Sequence, residues 1–196
     1  MMRKIICVVL NFVGRVYFKV NLVNYDRFAK LKSGCILAPN HISPWETILV
    51  PATSKRLMYM MAKEELFSNA LYRWFWRTVK AFPVGRGKND IGAIKTAIKL
   101  LRGGTAVCMF PEGTRSKTGE MLPFKTGVAM IAHSAKVPVV PVGIVSDLKF
   151  RSKFTIVYGE PIYFDELYGK KLTKEDLDGA TEKIQEAVKK AIESVK

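Results

Sequence analysis

The stretch PNHISPWETI (39–48) places His41 five positions before Glu46. An imidazole, with an ordinary pKa of ~6.5, can take a proton from a hydroxyl at neutral pH. A carboxylate at its second nitrogen fixes the tautomer and stabilises the imidazolium that forms. Five residues along one straight helix would set the two side chains roughly 140° apart, so the backbone must turn between them. Ser43 is a good N-cap residue and Pro44 suits a first helical position, which supplies that turn. The same residues also read as a capping box, in which Glu46 bonds back to the cap N–H and needs no histidine. A carboxylate has two oxygens, so the spacing leaves the catalytic pair and the helix cap both open.

Two further segments offer groups for an anion. Gly-Arg-Gly (85–87) precedes a helix that opens at Asn89 or Asp90, and a helix N-terminus beside glycines and Arg86 suits a phosphate. Its spacing fits neither a Rossmann nor a Walker loop. FPEGTRS (110–116) brings Glu112, Gly113, Thr114 and Arg115 into one loop. Arginine can clamp a phosphate with two parallel bonds, and glycine lets backbone approach a ligand closely. Taken singly, this segment reads as an ordinary polar loop.

These residues need elements to hold them. GCILAPN (34–40) reads as a buried strand that delivers His41 to its C-terminal end. The segment 65–82 has helical spacing of apolar residues at 66, 67, 70, 71, 74, 75 and 79. Within it, YRWFWR (72–77) reads mainly as core packing of an amphipathic helix, although Trp with flanking Arg also suits a lipid headgroup boundary. A second helix spans 89–104, a strand 105–110, a turn-rich loop 111–124 and a helix 125–135. Strands follow at 137–145 and 154–162. From Thr173 an amphipathic helix places Leu177, Ala180, Ile184, Val188 and Ile192 on one side. Strands alternating with helices predict a single α/β domain with a mixed, largely parallel sheet, and sites in such sheets gather beyond the strands' C-terminal ends. His41 and the loop after Phe110 both fall there.

The first residues form a separate expectation. MMRKIICVVLNFVGR (1–15) starts basic and turns apolar, but no small-residue cleavage site follows. The run 5–13 would rise only ~14 Å as a helix, against a hydrocarbon core of ~30 Å. Beyond Gly14, Val16, Phe18, Val20 and Leu22 alternate with polar residues in strand period. A short helix over 1–15 is expected, followed by one domain over 16–196. With Arg3, Lys4 and Arg15 around it, that helix suits a membrane interface, and packing into the core is the competing reading.

Across 196 residues, 32 Lys+Arg stand against 17 Asp+Glu, a net charge of +15. Such an excess favours an anionic partner: nucleic acid, an anionic membrane or phosphorylated small molecules. The lysines form no stripe and no nucleic-acid motif occurs, so nucleic acid is not expected. Cys7, Cys35 and Cys108 sit apart in apolar runs without metal or redox spacing, and His41 and His133 are the only histidines. No metal or other cofactor is expected.

The order of the blocks is the sharper signal. His-x4-acid, Gly-Arg-Gly, Phe-Pro-Glu-Gly-Thr-Arg-Ser and Val-Pro-Val-Val-Pro-Val follow one another through nearly the whole chain, with AKEEL (62–66), FKTG (124–127) and YGEPI (158–162) between and after them. The chain thereby resembles the glycerolipid acyltransferase family, especially the bacterial 1-acylglycerol-3-phosphate acyltransferases. The resemblance implies acyl transfer from acyl-CoA or acyl-carrier protein to the free hydroxyl of lysophosphatidic acid, without a cofactor, at the cytoplasmic face of the cell membrane. It implies His41 as general base and Glu46 as its acidic partner. Ser43, Lys63, Arg86, Glu112, Gly113, Thr114 and Arg115 would contact substrate, and the block 137–143 would shape a pocket. The family's commonest acid in the first block is Asp; here it is Glu46. A related enzyme acting on another lyso-lipid, or a basic nucleic-acid or membrane binding module without catalysis, are the alternatives.

Overall fold

Cys35–Pro39 is apolar without interruption because it is buried on both faces. In the computed structural model, which describes residues 2–85 and 90–196, this strand, β2, is the middle of a seven-stranded sheet. The other strands are β1 (Lys19–Val23), β3 (Met58–Lys63), β4 (Ala81–Val84), β5 (Ala106–Cys108), β6 (Val139–Ser146) and β7 (Lys153–Tyr158). Their order is β1-β7-β6-β2-β5-β3-β4, and every neighbouring pair is parallel except β6 with β7. The expected single α/β domain with a mixed, largely parallel sheet is what forms.

Alternate residues of the central strands feed two cores, as the period of two demands. Ile36, Val107 and Val139 face helices α5 (Ile91–Arg102), α6 (Gly127–Ala135) and α7 (Lys174–Glu193). Cys35, Leu37, Cys108 and Val140 face the other way, toward Phe18, Phe28, Leu49 and Val50. Leu49 and Val50 belong to α3 (Trp45–Thr53), and α1 (Met2–Tyr17) packs across it. Thr173 caps α7 with a full capping box to Asp176, and Ile184 and Val188 on its inner side are buried. The short helix α2 (Tyr25–Ala29) contributes Phe28.

The N-terminal helix runs to Tyr17, past the expected boundary near residue 15, and the strand starts only at Lys19. Gly14 does not end it. A Cβ there would come within 2.2 Å of Leu49 Cδ2, so this glycine lets two helices touch. The expected helix over 65–82 is three elements instead. A 3-10 turn spans Glu64–Phe67, Asn69 Oδ1 accepts from Tyr72 N–H at 2.9 Å to start α4 (Ala70–Thr78), and β4 follows. The expectation that its aromatic run packs mainly into the core holds only for Trp76, which lies against buried Met60, Ala62, Phe67 and Ala81, and for half-buried Phe75; the rest is corrected. No α4 residue is buried, with Leu71 70% and Trp74 52% exposed. The outer side of α1 is equally bare, and Ile5, Val8, Val9, Phe12 and Val16 are all exposed. Cys7 of α1, Ile48 and Pro51 of α3, and Phe75 and Trp76 of α4 line one small apolar gap, so α1 and α4 flank α3 with their unburied faces outward. Among the described residues no helix is long and apolar enough to cross a membrane.

Candidate active site

β2 ends by handing His41 to the C-terminal edge of the sheet. Buried Asn40 fixes that exit: its side chain donates to Ile144 O at 3.2 Å and accepts from Ile144 N–H at 2.7 Å, continuing the β2–β6 ladder one residue further. The chain then turns through Ser43 and Pro44 into α3. Pro44 already has helical angles, φ −72 and ψ −20, in the position just before the helix.

Glu46 is fully buried, and its carboxylate serves both readings of the sequence at once. Oε1 lies 2.7 Å from His41 Nδ1 and accepts the Ser43 N–H, also at 2.7 Å. Ser43 Oγ donates to Oε2 and accepts from Trp45 N–H at 3.1 Å. A carboxylate only accepts, so Nδ1 carries the proton, and in the neutral imidazole Nε2 is then the nitrogen with the lone pair. Phe110 stacks on the imidazole, with ring centroids 4.3 Å apart.

The glutamyl loop returns to the same histidine. Glu112 Oε1 accepts the His41 N–H at 2.6 Å, Oε2 accepts the Leu122 N–H at 2.9 Å, and Ser116 N–H donates to His41 O at 2.9 Å. His41 is therefore gripped through both backbone polar groups. Burial pushes the Glu112 carboxyl above its ordinary pKa, opposed by the N–H donors of Leu122 and His41 and by His41 itself. Gly113 has φ +70, which favours glycine, and the Lys125 side chain lies over it, with Nζ 2.9 Å from where a Cβ would be.

A cavity of about 400 Å³ opens in front of His41. Lys63, Gly85, Thr114 and Lys125 supply its polar wall, and Met61, Met109 and Phe110 its apolar wall. Lys63 Nζ pairs with Glu65 at 2.7 Å. A larger cavity, about 640 Å³, lies by α7 and residues 157–163. It has no histidine in its wall, and its Arg27 and Glu160 pair with each other at 2.7 Å. Chemistry belongs with His41.

The acyltransferase family model matches residues 19–145, which is most of the chain and spans every residue of this site. The chain belongs to the acyltransferase family. It is 33% identical over 191 residues, 93% of this chain and 90% of the relative, to the 1-acyl-sn-glycerol-3-phosphate acyltransferase of Bacillus subtilis. It is 29% identical to the enzyme of that name from Streptococcus pneumoniae, covering 88% of this chain and 66% of the relative. The crystal structure of the 1-acyl-sn-glycerophosphate (LPA) acyltransferase PlsC from Thermotoga maritima superposes with a TM-score of 0.75 at 25% identity, over 98% of this chain and 80% of that one.

Within this acyltransferase fold the residues singled out from the sequence separate into groups. His41, Lys63, Gly113 and Thr114 share the cavity. Glu46, Ser43 and Glu112 are buried behind it, with the atoms described above committed to holding His41 and its loop. Arg115 is exposed, outside the residues that line the cavity. Arg86 lies outside the described residues; Gly85, before it, is in the cavity wall and donates its N–H to Asp90 at 2.9 Å. Lys125 was not singled out. Its only signal was the FKTG segment, where a lysine beside a helix start looks like any surface cation. Among the described residues no three His, Cys, Asp or Glu side chains are grouped to hold a metal ion.

Proposed function

We propose that this chain transfers a fatty acyl group from a thioester to the free hydroxyl of 1-acylglycerol-3-phosphate, giving phosphatidic acid for phospholipid synthesis. The carrying observation is a histidine with Nδ1 bound to a buried carboxylate and its ring in the wall of a cavity that also presents two lysines. The names of the relatives support the acceptor. In this reading the acceptor hydroxyl gives its proton to His41 Nε2 as its oxygen attacks the thioester carbonyl. The tetrahedral intermediate collapses, the C–S bond breaks and the ester remains. The thiolate leaves and takes the proton back from the imidazolium, whose charge Glu46 stabilises throughout. A thioester is already activated, so direct attack needs no nucleophilic serine or cysteine and no metal.

Lys63 and Lys125, with Arg115 and Arg86, are the cations proposed for the acceptor phosphate and the donor's phosphates. Either acyl-CoA or acyl-carrier protein serves as donor. We place this work at the cytoplasmic face of the cell membrane, peripheral or monotopic; the exposed apolar faces of α1 and α4 and the net charge of +15 support a membrane surface. Thiol release by purified protein tests the whole reading. Release from acyl-CoA or acyl-carrier protein should depend on lysophosphatidic acid and be much slower with monoacylglycerol. Equal rates with both acceptors, or release independent of either, would refute it.

A further inference from the structure

At the catalytic edge of the sheet, but away from His41, a second basic feature has no partner. β6 runs parallel to β2, so the turn that leaves β6 emerges at the edge where His41 sits. β7 reverses and β1 runs parallel to β7, which brings the starts of both strands to that edge. Lys19 and Lys153, the first residues of β1 and β7, are register partners. Like charges side by side on neighbouring strands repel. With Arg15 they line a cleft of about 290 Å³ whose remaining wall is Phe18, Val20 and Asn21, without an acid. Arg15 Nε donates to neutral Asn11 Oδ1 at 3.2 Å, and none of the three cations has an ion pair among the described residues. Asp147, the acid of the turn, lies in the wall of a different cavity.

An apolar tip stands beside this cleft. Phe150 is 64% exposed at the crest of the β6–β7 turn, and its ring meets Tyr17 edge-on at 5.4 Å. The turn is clipped to the end of α1 by Arg151 N–H to Tyr17 O at 2.6 Å and Lys19 N–H to Ser152 O at 2.9 Å. Leu148 and Arg151 flank Phe150 in left-handed backbone, φ 58 and φ 62, a conformation that costs free energy for residues with side chains. Phe12 and Val16, on the last turns of α1 before Tyr17, are exposed as well. Tyr17 in turn stacks on Trp45, the neighbour of Glu46, at 5.1 Å.

We propose that the Arg15–Lys19–Lys153 cleft binds the phosphate of an anionic phospholipid headgroup in the bilayer, with Phe150 inserted beside it. This rests on the membrane reading above and names the lipid class that sets the pose. An anion in the cleft relieves the repulsion of three unpaired cations. An aromatic tip next to it is wasted on a free phosphate and suited to an interface. Docked this way, the surface beside α1 faces lipid on the edge that carries His41, where a lysophospholipid acceptor would enter.

Sedimentation with vesicles of phosphatidylcholine alone and with added phosphatidylglycerol tests it, comparing wild type, the exposed double variant Lys19→Gln/Lys153→Gln, and Phe150→Ser. Wild type should prefer the anionic vesicles. The double variant should lose about ten- to thirty-fold in affinity for them, at roughly one charge increment per lysine, and keep its binding to phosphatidylcholine. Phe150→Ser should weaken binding to both. Millimolar inorganic phosphate should not displace the wild type; displacement would make the cleft a free-phosphate site and overturn the proposal. Unchanged anionic preference in the double variant would overturn it while leaving the membrane reading intact. Failure of wild type to bind either vesicle would overturn both.

Discussion

The backbone N–H of His41 is held by the side chain of Glu112, 71 residues later, at 2.6 Å. The second Glu112 oxygen holds Leu122, so one buried carboxylate ties the histidine to both ends of the loop that walls its cavity. Glu112→Gln replaces one acceptor with an NH2 donor that faces an N–H, and leaves one buried donor without a partner. A loss of about 1–3 kcal/mol in stability is expected, with a lower rate because His41 loses its anchor. Thermal unfolding and initial rates check both.

The raised pKa of Glu112 adds a pH signature. A carboxyl that binds its proton more tightly folded than unfolded adds stability below its ordinary value of 4.5, and that addition is lost as pH rises through the raised value. The stability of wild type minus Glu112→Gln should therefore shrink as pH rises across the range just above 4.5. A difference that grows over that range would reverse the assigned direction.

Glu46 separates charge from cap. Glu46→Gln can keep its carbonyl oxygen on His41 Nδ1–H and Ser43 N–H, and turn its NH2 toward Ser43 Oγ, which can accept. The helix start should survive, with a modest fall in melting temperature because the buried Ser43 O–H loses its acceptor. The stabilising charge is gone, so turnover should fall by about 10²-fold or more. Glu46→Asp keeps the charge with shorter reach and should retain more activity than Gln. Normal rates in the Gln variant would leave α3 with a well-made cap and His41 without its acid.

Lys125 and Arg115 bear on substrate. Lys125 lines the cavity and Arg115 is exposed in the loop after Phe110. Lys125→Ala should raise KM for lysophosphatidic acid more than for the acyl donor, by about ten-fold, as for one lost charge-assisted hydrogen bond. Arg115→Ala should act in the same direction but less. Steady-state kinetics with each substrate varied in turn will show it; a rise confined to the donor would move these cations to the CoA or carrier side.

The outer face of α1 gives the membrane prediction. Deleting the helix would uncover Leu49 and α3, so surface substitutions are cleaner. Val8→Ser with Phe12→Ser removes two side chains that are 68% and 66% exposed. Melting should barely change, while binding to vesicles should weaken by an order of magnitude or more as apolar area is lost. Unchanged vesicle affinity would assign the contact to another surface.

Much of this site could be read before the fold was known, for definite reasons. A continuous apolar run ending in Asn40-His41 is what a strand buried on both faces looks like, and its C-terminal end is where such sheets place their sites. The His41–Glu46 spacing requires a turn if the two side chains are to meet, and the turn is there, at Ser43 and Pro44. Glu112 was different. Glu, Gly, Thr and Arg in one loop suit a ligand site, and only the return of that loop to the His41 N–H shows where the carboxylate is spent. The strand Met58–Lys63 was missed because MYMMAK carries no β-branched residue. The aromatic helix buries only one side, at Trp76; helical spacing reveals an apolar face without revealing what covers it.

The central claim is that His41, with Nδ1 on Glu46, removes the acceptor's proton at Nε2. Its most direct test is the turnover of His41→Ala with an acyl thioester and lysophosphatidic acid, beside its circular dichroism and melting curve. His41 lines the cavity rather than either hydrophobic core, so the variant should keep the fold, with a lower melting point because buried Glu46 loses a donor. Its kcat should fall by about 10²–10⁴-fold. A folded His41→Ala protein with near-normal turnover at neutral pH would contradict the account.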